Sequence, residues 1–237
     1  MKILAFDSTA KTASVAVTEE DKTLLSYSID NGLTQSELLL PMAEAALKSL
    51  RLGFSDIDAY AVTVGPGSFT GVRIGVALVK GLAFGRDIPC ISVSTLEALA
   101  ENLRGIHGVI VPCMDARRSQ VYTAIFESDG EEMKRVTEDL PIPISELYER
   151  LSGYGDRDIY LVGDGYDITR RTLSQMGLAS LKATPPLLRL QNAASVGAVA
   201  KRMLDEGKTA TDTTLTPIYL RLPQAERERL EKESDKK

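Results

Sequence analysis

The densest run of residues with chemical potential in this 237-residue chain is Gly65-Pro66-Gly67-Ser68-Phe69-Thr70-Gly71-Val72-Arg73-Ile74-Gly75. A glycine turn that opens a helix can cradle phosphate with its backbone N–H groups. The phosphate-loop pattern also needs a lysine after its last glycine, and none follows Gly71. The dinucleotide fingerprint Gly-x-Gly-x-x-Gly fails as well, by one extra residue between Gly67 and Gly71. The remaining alternative is a tight turn into a closely packed helix. Gly67, Gly71 and Gly75 recur every four residues and so share a helix face. A glycine inside a helix is about 1 kcal/mol worse than alanine, so a row of them marks a close approach to the backbone.

Other candidates are weaker. Two apolar strands end in aspartate, at Asp7-Ser8-Thr9 and at Asp115-Ala116-Arg117. The single histidine, His107, cannot form a two-histidine metal site, and no Cys/His cluster replaces it. The sequence singles out no nucleophile to pair with it, and His107 is expected in a loop between lobes. Glu131/Glu132 and Asp156/Asp158 read as surface turns, and Arg117-Arg118 and Arg170-Arg171 as solvated basic pairs. Cys90 and Cys113 lie in apolar runs and read as small core residues.

The elements that must position these residues follow from hydropathy. Strands are expected at 2–7, 13–18 and 23–29, then a helix at 35–50. The strand at 57–64 leads through the glycine turn into a helix at 70–84, followed by a strand at 88–93 and a helix at 95–103. From Val109 the pattern restarts, with strands at 109–114, 121–127 and 134–138, a helix at 144–151, a strand at 159–162 and a helix at 168–176. A late amphipathic helix at 193–206 and a short strand at 217–220 complete the series. Three strands in a block, then strands alternating with helices, predict two α/β lobes, at 1–104 and 105–222. The helix at 193–206 is a candidate for returning to the first lobe. Residues 223–237 are almost wholly charged and read as a disordered tail.

Five stations resemble the TsaB (YeaZ) family: Met1–Thr9, Thr34–Pro41, the Gly65–Gly75 run, Ile91–Leu96 and Met114–Arg118. The resemblance implies a duplicated two-lobed actin/Hsp70/sugar-kinase-like (ribonuclease H-like) α/β fold with a reduced second lobe. It also implies a non-catalytic partner in tRNA threonylcarbamoyladenosine synthesis. Such a subunit would support transfer of a threonylcarbamoyl group to N6 of adenosine 37 in tRNAs reading ANN codons. Its implied partners are the similar catalytic subunit TsaD, the small ATPase TsaE, a second copy of itself when alone, and tRNA indirectly. In the wider superfamily, aspartate-bearing hairpins hold ATP phosphates between the lobes. Asp7, Ser8, Thr9 and Asp115 occupy those positions and are expected to be vestigial, because only Gly163-Asp164-Gly165 is available for an adenosine contact. No cofactor, metal or catalytic residue is expected. The rival expectations are an ATP-dependent kinase using Asp7 and Asp115, and a dinucleotide-binding enzyme using Gly65–Gly71.

The helices at 35–50 and 70–84 carry more apolar surface than one face of a sheet needs. Together with the resemblance, this predicts a partner interface through Leu38, Leu39, Met42, Ala45, Ala46, Gly67, Gly71, Gly75 and Val79. Relatives often carry histidine where this chain has Leu33. A net charge of −5 gives no general basic field for nucleic acid. Asp7 interrupts the N-terminal apolar run before it could serve as a signal peptide, and no run of ~18 apolar residues exists. A cytoplasmic protein is expected.

Overall fold

The structure, a computed structural model, describes residues 1–221; the tail expected to be disordered, 223–237, lies outside the described residues. The first lobe opens with β1 (Lys2–Asp7), β2 (Ala13–Glu19) and β3 (Lys22–Ile29), then α1 (Gln35–Ser49). β4 (Ala59–Gly65), α2 (Phe69–Ala83), β5 (Cys90–Ser94) and α3 (Thr95–Glu101) follow. The sheet order is β3-β2-β1-β4-β5, with β1–β2 and β2–β3 antiparallel and β1–β4 and β4–β5 parallel. Both faces are covered, which is why the central strands are apolar throughout rather than alternating. Leu4, Phe6, Tyr60 and Val62 point to α1 and α2, while Ile3, Ala5, Ala59 and Ala61 point to the opposite face.

The second lobe repeats the plan with β6 (His107–Asp115), β7 (Gln120–Thr123), β8 (Phe126–Asp129), β9 (Met133–Arg135) and β10 (Leu140–Pro143). Next come α4 (Ile144–Ser152), β11 (Ile159–Val162), α5 (Tyr166–Gln175), β12 (Leu181–Lys182) and α6 (Ala193–Asp205). Its sheet runs β10-β7-β6-β11-β12, with β8 and β9 continuing the two antiparallel strands. The strand expected at 121–127 is therefore split. Ile125 leaves the ladder: its carbonyl accepts both Val136 N–H and Thr137 N–H, and its N–H donates to Thr137 Oγ1 at 2.9 Å. The strand expected at 134–138 ends at Arg135, and β10 is not expected from the sequence. With β12 only two residues long, the second lobe is the reduced copy of a duplicated two-lobed, ribonuclease H-like fold.

Each lobe sends its last helix to the other. α3 buries Leu96 and Leu99 against Ile110, Met114 and Phe126, and α6 buries Val196, Val199 and Ala200 against Ile3, Ala5 and Ile91. A polar pin joins the exchanged helices: Glu101 accepts from Arg202 at 2.7 Å and from Arg104 at 2.6 Å. Beyond α6 the chain bridges Ala210 to Cys90 and buries Leu215 in the first-lobe core. The strand expected at 217–220 does not form. Only the Ile218 N–H bond to the Val64 carbonyl, at 2.7 Å, ties that segment to a strand backbone.

Candidate functional site

The site lies between the lobes, a cleft of about 680 Å³ whose lining includes Thr9, Lys11, Gly67, Phe69, Asp115, Arg117, Tyr122, Asp164, Gln191 and Tyr219. The two sequence echoes meet here with the same local geometry. Asp7 Oδ1 accepts the N–H of Thr9 at 2.9 Å, and Asp115 Oδ1 accepts the N–H of Arg117 at 2.8 Å. Each aspartate thus caps its own hairpin, as short polar side chains do in turns.

The first hairpin is closed further by α2. Thr9 Oγ1 donates to Asp7 Oδ1 at 2.7 Å, the Thr9 carbonyl accepts from Ser68 N–H at 2.7 Å, and Ser8 Oγ donates to the Gly71 carbonyl at 2.8 Å. The glycine row serves this contact. A Cβ on Gly67 would meet Thr9, one on Gly71 the Ser8 carbonyl, and one on Gly75 the Ser8 hydroxyl and Val62. The close approach inferred from the sequence is therefore made by the chain's own hairpin and not by another subunit.

The interface predicted on α1 and α2 needs the same correction. Leu38, Leu39, Met42, Ala46, Gly71, Gly75 and Val79 are buried within the first lobe, and Gly67 is half-buried; Ala45 alone of that set is exposed. Ala43 and Leu47 are buried too, since α1 packs on β2, β3 and α2 through a wide arc. What remains outward is a different strip. On α2 it runs Thr70, Arg73, Ala77, Gly81, with half-buried Ile74, Leu78 and Leu82 beside it and Phe84, 79% exposed, at its end. Nothing stands within 4 Å of where a Gly81 Cβ would lie. Exposed Leu40 and Ala45 carry apolar surface on α1.

Two aspartates at the cleft, Asp7 and Asp164, are perturbed. Asp7 is 1% exposed; burial pushes its carboxyl up to about 6 against the pull of the Thr9 bonds, and Oδ2 has no partner among the described residues. Asp164 is exposed on the cleft, and the protein packed around its carboxyl, which displaces part of its solvent, pushes it up to about 6. A hydrogen bond from the Asp115 backbone opposes this, while the charges of Asp115 and Asp7 add to it. Gly163 and Gly165 place Asp164 there by packing directly on the Cys113 carbonyl, with Gly165 N–H bound to it at 3.0 Å.

Sequence reasoning missed Gln191, which is 3% exposed with neither amide atom bonded to a described residue, and also missed Tyr219 and Arg221. None of the three sits in a motif. His107 is the exposed first residue of β6 rather than a loop residue. Cys90 and Cys113 are buried, with thiols pushed up by burial to about 11 and about 12. Among the described residues no three His, Cys, Asp or Glu side chains group to hold a metal, and no helix is long and apolar enough to cross a membrane.

Comparison with known proteins agrees with this architecture. Residues 34–229 match the family model of TsaD, tRNA N6-adenosine threonylcarbamoyltransferase. The chain is 32% identical over 235 residues to the tRNA threonylcarbamoyladenosine biosynthesis protein TsaB of Bacillus subtilis, covering 95% of this chain and 96% of that one. The protein of the same description from Escherichia coli is 32% identical over 229 residues, 93% of this chain and 95% of its own. Among solved structures, YeaZ from Pseudomonas aeruginosa superposes with a TM-score of 0.74 at 26% identity, over 92% of this chain and 99% of that one.

Proposed function

The chain belongs to the TsaB (YeaZ) family, and from that premise we propose that it serves tRNA threonylcarbamoyladenosine biosynthesis as a scaffold without chemistry of its own. The observation that carries this reading is the shut first hairpin. A phosphate-binding loop must offer free backbone N–H donors. Here the Thr9 N–H is held by Asp7, and α2 covers the Ser8 and Thr9 side of the hairpin through Gly67, Gly71 and Gly75. Asp115 and Asp164 line the same space, so their carboxylates oppose an incoming phosphate although Lys11, Arg117 and Arg221 share that lining. The likeness to the TsaD model supports a partner of similar fold as the bearer of the chemistry.

On this reading the chain pairs with the catalytic subunit through the outward strip of Arg73, Ala77, Gly81 and Phe84 on α2, with Leu40 and Ala45 of α1. Small residues at Ala77 and Gly81 let another helix approach closely, and Phe84 offers a large apolar side chain to bury. The same strip would pair two copies in the absence of the partner. The ATPase docks on the joined subunits, tRNA is engaged through the catalytic one, and the work is done in the cytoplasm. The test is threonylcarbamoyl transfer to tRNA by the catalytic subunit and ATPase, with this chain added or omitted. Transfer should depend on the chain and saturate at one copy per catalytic subunit. Transfer at an equal rate without it would overturn the proposal.

A further inference from the structure

The C-terminal wall of the cleft is made by the chain's own residues 218–221, which run from one lobe to the other. On the first lobe, Ile218 N–H bonds to the Val64 carbonyl at 2.7 Å, and the Ile218 carbonyl stands on Gly65, where a Cβ would otherwise be. The next residue, Tyr219, stacks on Phe69 at the start of α2, with ring centroids 4.7 Å apart. Two residues later the chain touches the second lobe. Arg221 donates through Nη2 to the Pro141 carbonyl at 3.2 Å, and its guanidinium lies 5.6 Å from the centre of the Tyr122 ring. Pro141 and Tyr122 are directly paired across β10 and β7, so Arg221 grips one spot on the sheet through two contacts.

The lobes are also joined where α3 leaves β5. Ser94 Oγ bonds to Asp139 at 2.7 Å, and Arg135 reaches Glu97 at 3.2 Å. Those ties and the exchanged helices join the lobes at the crossover. The Ile218–Arg221 segment adds a second join at the cleft, with one anchor on each lobe.

We propose that Ile218–Arg221 is an interlobe latch, which holds the two lobes at one separation by the ring stack on Phe69 and the Arg221 grip on Tyr122 and Pro141. A ligand bridging the walls could fix the lobes in the same way; here the polypeptide does it in cis, and the lobe angle is set without a ligand. The proposal does not depend on the scaffold reading, since it concerns only how this chain holds its own halves.

The test uses the full chain carrying spin labels on cysteines introduced by Lys48→Cys on α1 and Glu149→Cys on α4, both exposed positions on opposite lobes. Native Cys90 and Cys113 are buried with raised thiols and should stay unlabelled. The unsubstituted latch should give one narrow distance distribution. Tyr219→Ala with Arg221→Ala should broaden it and add longer separations, and the Ile218 amide should exchange with solvent about tenfold faster or more. Phe69→Ala, which breaks the stack from the other side, should loosen the lobes in the same direction. Far-UV circular dichroism checks that the variants are folded. If the double variant is not, Arg221→Ala alone, which removes only the second-lobe anchor, takes its place and should broaden the distribution too. A distribution already broad with the latch intact, or one unchanged when the latch is cut, overturns the proposal.

Discussion

Gly75→Leu and Gly81→Leu place the same side chain on the same helix, six residues apart, and should have opposite consequences. At Gly75 the new Cβ would meet the Ser8 hydroxyl and lie 3.2 Å from Val62 Cγ2, with three further carbons to place in a filled space. Overpacking of this kind costs about 1–3 kcal/mol. Displacing Ser8 Oγ from the Gly71 carbonyl, a buried bond of 2.8 Å, adds roughly 1 kcal/mol. The expected loss is therefore about 2–4 kcal/mol. At Gly81 no atom lies within 4 Å of the new Cβ, and leucine is the better helix former, so stability should hold or rise by up to about 1 kcal/mol. Urea unfolding with unchanged slope measures both. Affinity for the catalytic subunit supplies the other half: Gly81→Leu should weaken it by more than about tenfold, roughly 1.4 kcal/mol, in a fully folded protein. If Gly75→Leu is as stable as the parent, the glycine row does not serve the hairpin contact. If Gly81→Leu binds the partner unchanged, the outward strip is not the docking face.

Asp7→Asn should stabilise the protein at neutral pH and not in acid. The carboxyl moves from an ordinary 3.8 to about 6 on folding, so its contribution is fully present below 3.8 and is lost as pH rises through 6. The span corresponds to roughly 3 kcal/mol, which sets the upper limit of the gain at pH 7.5. A difference between variant and parent that stays flat from pH 4 to 7.5 would contradict it. Glu101→Gln should cost about 1–3 kcal/mol by weakening the pin to Arg104 and Arg202 between the exchanged helices, read by thermal unfolding; a loss below ~0.5 kcal/mol would show that pin to be idle.

Much of the fold was legible in residue order, because covered strands are long and apolar and the glycine turn marks the junction of β4 with α2. The return of the late helix was expected from what such folds commonly do rather than from its own residues, and α6 does pack on β1 and β2. The break at Ile125 was not legible: Val121 to Phe126 continues a strand pattern, and the bonds that take Ile125 out of the ladder come from Val136 and Thr137, eleven and twelve residues on. Residues 217–220 carry β-favouring side chains, yet they cross the cleft rather than lie along a strand. The glycine spacing announced a close approach without saying what approached. That distinction depends on the Asp7–Thr9 hairpin, sixty residues earlier in the chain, and no local pattern encodes it. Asp7 and Asp115 were found because both end apolar strands. Gln191, Tyr219 and Arg221 reach the cleft from a segment without periodicity and left no signal.

The central claim, that this chain supports chemistry done by its partner, meets its most direct test in the rate of threonylcarbamoyl transfer to tRNA by the reconstituted set. The chain is supplied at saturation either unaltered or with Asp7, Asp115 and Asp164 all changed to asparagine. Rates within about threefold of each other are expected, since none of the three carboxylates would touch a reacting group. A fall of more than about tenfold, near 1.4 kcal/mol of barrier, with partner affinity and folding preserved, would contradict the claim and make the cleft between the lobes a place of catalysis.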